Sequence, residues 1–140
     1  MEPILLIDDD ADLRKALQGA LAAEGWPVVD VADGWEGVDW LVLNRPSIVV
    51  LDWTLPDFNG DTVAATLHQT YGNTVPLLLV TGNDHELVEK ARSVRAFGYL
   101  KKPFEVEALY ALVRSALSDE DLGHQNSGAR FGPAGDFPGS

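Results

Sequence analysis

The apolar run Ile4-Leu5-Leu6-Ile7 stops on Asp8-Asp9-Asp10, and a second run, Ser47-Ile48-Val49-Val50-Leu51, stops on Asp52. A segment that stays apolar for several residues and then ends on acids reads as a strand buried on both faces that delivers charge at one end. As parallel neighbours, two such strands bring Asp8, Asp9 and Asp52 to the same sheet edge. Two full charges about 4 Å apart repel by roughly 4 kcal/mol at an effective dielectric near 20. The cluster therefore calls for a proton, a bound cation or a cationic side chain. Thr81 follows another apolar run, and Lys102 follows Gly98-Tyr99-Leu100-Lys101. Hard carboxylate oxygens suit Mg²⁺, which keeps positions open for a phosphate oxygen. Carboxylates, a hydroxyl and an ammonium together suit phosphoryl transfer, where catalysis is mostly positioning and charge neutralisation. One carboxylate is then the acceptor, forming an aspartyl phosphate.

The rest of the chain supplies the frame for these groups. Strand-like runs at Ile4–Ile7, Val28–Val31, Ser47–Leu51, Val75–Val80 and Gly98–Leu100 alternate with helix-like segments. In the first helix Leu13, Leu17, Ala20 and Leu21 recur at helical spacing, with Asp10 or Asp12 available as the cap. The others are Trp35–Leu43, Asp61–Thr70, His85–Arg95 and Glu105–Leu117. Strict strand–helix alternation predicts an α/β sandwich around a parallel sheet. Right-handed crossovers leave few topologies, of which the five-stranded order 2-1-3-4-5 is common. Ligands of such sheets bind beyond the carboxyl ends of the strands where the order reverses, here between the first and third. Those are the strands that end in Asp8-Asp9 and Asp52.

Composition narrows the function. The 140 residues suit one domain with a hydrophobic core, and the formal net charge of -12 argues against a nucleic-acid surface. The absence of cysteine excludes disulfides, thiolate metal sites and thiol nucleophiles. Met1-Glu2-Pro3 lacks the basic start of a signal peptide, and no apolar stretch approaches a membrane span. The expectation is a cytoplasmic domain at 1–118. Residues 119–140, rich in Gly and Pro and without periodicity, read as a flexible tail or linker. That tail holds four of the 22 acids and one of the 10 basic residues, so the acidity belongs to the domain.

Taken together, Ile4-Leu5-Leu6-Ile7-Asp8-Asp9-Asp10, Val50-Leu51-Asp52-Trp53-Thr54-Leu55-Pro56 with Gly60, Val80-Thr81-Gly82 and Tyr99-Leu100-Lys101-Lys102-Pro103-Phe104 resemble the receiver domain of two-component response regulators. The resemblance spans about residues 3–118 and implies the flavodoxin-like 2-1-3-4-5 sheet. It implies Asp52 as phosphoacceptor, charged by a sensor histidine kinase or a histidine phosphotransfer protein. Asp8, Asp9, Asp52 and the backbone carbonyl of Thr54 would hold Mg²⁺. Thr81 would bond the phosphoryl oxygen, Lys102 would pair with the phosphate or with Asp52, and the Lys102-Pro103 bond would be cis. Tyr99 would be the rotating aromatic that moves inward as Thr81 is drawn to the phosphate. The face formed by the fourth helix, fifth strand and fifth helix would meet a downstream protein target or a second copy. Arg95 and Lys101 supply its positive charge, and Glu86, Glu89 and Glu107 its negative charge. The domain would be regulatory, promoting only its own phosphotransfer and dephosphorylation.

Plainer readings stand beside these. Asp10 reads as a helix cap rather than a ligand. Lys101, on the opposite strand face from Lys102, reads as a surface charge. Tyr99 could be edge packing. His68, His85 and His124 lack ligand spacing and read as surface residues. Trp26, Trp35 and Trp40 read as packing, and Trp53 as shaping access to the pocket. Two departures from the family pattern stand out. Arg95-Ala96 takes the place of a usual Gly-Ala, which predicts a differently shaped junction before the fifth strand. Thr54 and Asn83, two beyond Asp52 and Thr81, flank the expected position of a hydrolytic water.

Two other functions compete. A haloacid-dehalogenase-type phosphohydrolase also uses a strand-end Asp and Mg²⁺, but needs a second Asp where this chain has Thr54. A pseudo-receiver would bind partners without phosphorylation, and the intact acids, Thr81 and Lys102 argue against it.

Overall fold

A computed structural model describes residues 1–82 and 87–121, with side chains as far as 118. The expectations for Asn83, His85, Glu86, His124 and the tail beyond 121 lie outside those residues. Five strands, β1 (Ile4–Ile7), β2 (Val28–Val31), β3 (Ile48–Asp52), β4 (Leu77–Thr81) and β5 (Gly98–Lys101), form one parallel sheet in the order 2-1-3-4-5. Helices follow each strand: α1 (Ala11–Ala23), α2 (Gly34–Leu43), α3 (Gly60–Tyr71), α4 (Leu87–Ser93) and α5 (Val106–Asp121). The last helix continues four residues beyond its expected end at Leu117.

Alternation along the strands builds two cores. Leu5, Ile7, Val49, Leu51, Leu77 and Leu79 face the layer of α2, α3 and α4. Ile4, Leu6, Ile48, Val50, Leu78 and Val80 face α1 and α5. Each side chain is almost sealed from solvent. Full burial of a Leu or Ile contributes roughly 1.5–3 kcal/mol, so the central strands carry the fold and hold their ends in fixed register. β1 pairs with β3 from Ile4↔Ile48 to Ile7↔Leu51, which sets Asp8 and Asp52 side by side past the last apolar pair.

Helix starts and stops follow their local chemistry. Asp10 is the cap of α1, its side chain accepting the Leu13 N–H at 3.1 Å. Asp33 caps α2 by accepting the Glu36 N–H at 2.8 Å, while the Glu36 carboxylate accepts the N–H of Ala32, one residue before the cap, at 3.1 Å. At the end of α1, Gly25 takes φ +94° and the N–H groups of Gly25 and Trp26 bond back to Ala22 and Leu21. The end of α4 has the same pattern without glycine. Arg95 takes φ 54°, its N–H bonds to Arg92, and the Ala96 N–H bonds to Ala91 at 2.9 Å. The junction expected to differ therefore keeps the ordinary left-handed helix stop. Its two hydrogen bonds and the buried Ala96 and Phe97 beyond it hold a conformation that opposes an L side chain by about 1–2 kcal/mol.

Two expectations about packing need correction. Trp35 is 63% exposed, because Gly34, Gly37 and Leu41 are the residues of α2 turned to the sheet. A Cβ at Gly37 would meet Ile7 at 2.6 Å, so the helix lies too close for a larger residue on that face. His68 is not simply a surface residue: its ring nitrogens lie 3.2 Å from the Gly72 carbonyl and 2.6 Å from that of Val94. It ties the end of α3 to the Arg95 turn.

Candidate functional site

The carboxyl edge gathers the expected groups. Asp8 and Asp52 are buried, at 2% and 6% exposure, while Asp9 is open to solvent. Carboxylate oxygens of all three lie within 4.8 Å of one another. Oxygens across an octahedral Mg²⁺ stand about 4.2 Å apart, given metal–oxygen distances near 2.1 Å. The donor set thus fits a hard divalent cation after small side-chain adjustments. Asp8 is further pinned by the Asp10 N–H, which donates to its Oδ1 at 2.9 Å.

Lys102 answers the charge conflict. Its Nζ lies 2.8 Å from Asp8 Oδ2 and 3.0 Å from Asp52 Oδ2. Burial opposes the ammonium, but hydrogen bonds and attraction to the two carboxylates outweigh it and push the amine above its ordinary value. Burial also pushes the Asp52 carboxyl up, and there it prevails over the hydrogen bond and attraction from Lys102, with Asp8 adding to the rise. Lys102 is thus an ammonium held by two acids, and burial leaves the Asp52 carboxyl raised. The Lys102-Pro103 peptide bond is cis, as expected.

The β3–α3 loop completes the edge. Thr54 N–H donates to Asp52 Oδ1 at 3.1 Å, so the acceptor candidate is held from the loop side as well. Thr81, at the end of β4, is buried beside the edge and stands in register with Lys101. Tyr99 is already buried, at 7% exposure, in the core beneath α3 and α4. Lys101 is exposed, as expected. Trp53 is half-buried, with Lys90 Nζ 5.7 Å above its ring, a cation–π contact that ties α4 to the loop.

Two residues of this edge escaped the sequence reading. Arg14 donates to the Asp8 backbone carbonyl at 2.9 Å and to Asp30 Oδ2 at 3.0 Å, bracing the acidic loop against β2. An arginine one turn inside a helix carries no signal of that contact, since Asp30 is 16 residues away. Asp57 accepts the N–H groups of Gly34 and Trp35 at 3.0 and 2.8 Å. After Pro56 it reads as a turn residue, and only the approach of α2 gives it another task. Beside the site, a groove of about 400 Å³ runs between α1 and the β5–α5 connection, lined by Leu13, Leu17, Phe104 and Val106 and reaching Lys102.

The profile of the response regulator receiver domain matches residues 4–114, most of the chain. The chain belongs to that family. It is 37% identical over 116 residues to "Response regulator MprA" of Mycobacterium sp. (strain KMS), covering 81% of this chain and 50% of the relative. The chain thus spans about half the length of the curated relatives it matches. Among solved structures, the receiver-domain protein (CheY-like) of Methanospirillum hungatei JF-1 superposes with a TM-score of 0.81 at 23% identity, covering 87% and 98% of the two chains. The response regulator TrrA of Thermotoga maritima, solved in complex with Mg²⁺ and BeF, superposes with 0.76 at 25% identity, covering 84% and 100%. The receiver family makes this a phosphorylation-based signalling domain. Among the described residues, no helix is long and apolar enough to cross a membrane.

Proposed function

We propose that Asp52 accepts a phosphoryl group from a phosphohistidine of a sensor kinase or histidine phosphotransfer protein. The observation that carries this is one buried carboxylate held by Lys102 at 3.0 Å and by the Thr54 N–H at 3.1 Å, with two further acids beside it. An Asp52 oxygen attacks phosphorus and the P–N bond to the donor imidazole breaks. The imidazole leaves with the electron pair, and a proton on its other ring nitrogen makes it a neutral leaving group. Asp8, Asp9, Asp52 and the Thr54 carbonyl would hold Mg²⁺, which supplies charge neutralisation for the phosphoryl oxygens. Lys102 can turn from Asp52 to the phosphoryl group, since Asp8 keeps its ammonium in place at 2.8 Å.

The output runs through Thr81 and Tyr99. A hydroxyl bond from Thr81 to the phosphoryl oxygen draws that side chain toward the edge, and Tyr99, already buried, is held inward by the space it leaves. Phosphorylation then biases a pre-existing equilibrium of the α4–β5–α5 face, where a downstream protein or a second copy docks. Nucleic acid is not a direct ligand of so acidic a domain, and the cytoplasm is the compartment that fits a kinase partner. The domain ends with α5 at Asp121 rather than at 118, and the residues after it serve as linker or tail.

Incubation with acetyl phosphate and Mg²⁺ tests the acceptor. The wild type should gain one base-labile phosphoryl adduct by mass spectrometry, and Asp52→Asn should gain none; an equal adduct on the variant makes Asp52 the wrong residue. No adduct on the wild type favours the pseudo-receiver. Beryllofluoride tests the switch: amide resonances across β4 to β5 should shift well beyond the pocket. Shifts confined to the pocket would favour phosphate storage instead.

A further inference from the structure

The loop that follows Asp52 is closed at its base and bolted at its tip. At the base, Thr54 and Asn59 form an antiparallel bridge and the Gly60 N–H bonds to the Trp53 carbonyl at 2.9 Å. At the tip, Asp57 Oδ1 accepts the Gly34 N–H at 3.0 Å and Oδ2 accepts the Trp35 N–H at 2.8 Å. These are the first two N–H groups of α2, which no intrahelical carbonyl can satisfy. The side chain of the cap residue Asp33 accepts the third, that of Glu36, and its carbonyl the fourth, that of Gly37. Phe58 follows Asp57 onto the same helix. Its ring meets Trp35 edge-on at 5.3 Å between centroids, and a Cβ at Gly34 would lie 2.4 Å from it. A carboxylate with both oxygens on adjacent backbone donors fixes the loop tip in position and angle, which a single hydrogen bond does not.

Thr54 belongs to the base itself: its N–H donates to Asp52, and its carbonyl is the proposed backbone ligand of the cation. We infer that Asp57 is a positioning residue: by docking the loop tip on α2, it holds the Thr54 carbonyl and N–H where the cation and the acceptor need them. The inference rests on the metal reading of Asp8, Asp9 and Asp52. It extends that site to a residue on the exposed side of the loop, supported by a different helix. Removing a group that orients a metal ligand typically weakens metal affinity by 10- to 100-fold.

The test compares Asp57→Ala, Asp57→Asn and Arg114→Ala with the wild type at 25 °C, where the folded state of each is first verified. Arg114, which pairs with Glu24 at 2.7 Å, is a remote control for general loosening. MgCl₂ titrations followed by amide shifts should show affinity about tenfold weaker for Asp57→Ala. Asp57→Asn should fall between, because its amide keeps one acceptor oxygen for the two N–H donors. Arg114→Ala should match the wild type. In metal-free protein, the Thr54 amide should exchange with D₂O about tenfold faster in Asp57→Ala. Unchanged Mg²⁺ affinity in Asp57→Ala overturns the positioning role, whatever the exchange rate does. Weaker affinity without faster Thr54 exchange, or an equal loss in Arg114→Ala, overturns it too. If the wild type itself binds no Mg²⁺, the metal reading fails, and Thr54 exchange alone decides whether Asp57 positions the loop.

Discussion

Asp52 and Asp57 sit five residues apart, one at the start of a loop and one at its tip, and their surroundings drive them in opposite directions. Asp52 is buried, and desolvation pushes its carboxyl above the ordinary value of 3.8 despite the ammonium of Lys102. Asp57 is exposed; the desolvation it meets is outweighed by N–H donors from Trp35, Gly34, its own backbone and Phe58, which bring it below 3.8. Burial makes the charged form of Asp52 costly to the fold, whereas its N–H donors make the charged form of Asp57 stabilising. Under the proposed roles, the first acid reacts and the second holds the loop.

The largest expected departure from that contrast comes from removing the ammonium. Lys102→Ala leaves Asp8 and Asp52 buried side by side without a counter-charge. Phosphotransfer from acetyl phosphate should fall about 100-fold or more, as for loss of a preorganised charge at a reacting centre. The metal-free fold should lose stability in urea, and Mg²⁺ should recover more of it than in the wild type. Unchanged transfer kinetics would mean that Lys102 only balances charge in the resting state.

Acidity should separate the two carboxylates by sign. The folded value of Asp52 is raised, so the folded state holds that proton more tightly than the unfolded chain does. Its contribution favours the fold in acid and is lost as pH rises from 3.8 through the folded value. The folded value of Asp57 is lowered, so its contribution is present above 3.8 and is lost as pH falls through the folded value. Urea unfolding between pH 3 and 7 should therefore show Asp52→Asn gaining on the wild type as pH rises. Asp57→Ala should fall behind the wild type at neutral pH and approach it in acid. Two differences of the same sign would remove the contrast.

The smallest expected effect sets the scale for a change that touches neither carboxylate. Arg95→Gly places the residue best suited to φ 54° at the end of α4. It should stabilise the protein by about 1 kcal/mol or less, the relief of strain being partly offset by a freer unfolded chain. Midpoints in urea would measure it, and the pH dependence should stay that of the wild type. A loss of stability would show that the Arg95 side chain contributes contacts worth more than the strain.

Much of this molecule was legible in its residues. Apolar runs ending on acids located the strands and their charged ends, because a doubly buried strand has no reason to stop on Asp except at an edge. Alternation with helical segments determined a parallel sheet, and handedness rules left few orders, among them the common 2-1-3-4-5 that is observed. Asp8, Asp9, Asp52, Thr81 and Lys102 were findable because they stand at the ends of four strands, which one parallel sheet brings to the same edge. Arg95 marks where local reading failed: the helix stop depends on hydrogen bonds back to Ala91 and Arg92, which hold against the missing glycine. Arg14, His68, Trp35 and Asp57 were decided by tertiary structure alone. Each depends on a partner 16 or more residues away, or on which face of a helix meets the sheet. Residue types and spacing set what can be buried and what must stay charged. Which backbone donor a given carboxylate reaches is set by how closely two separate elements approach, and at Gly34 that approach leaves no room even for a Cβ.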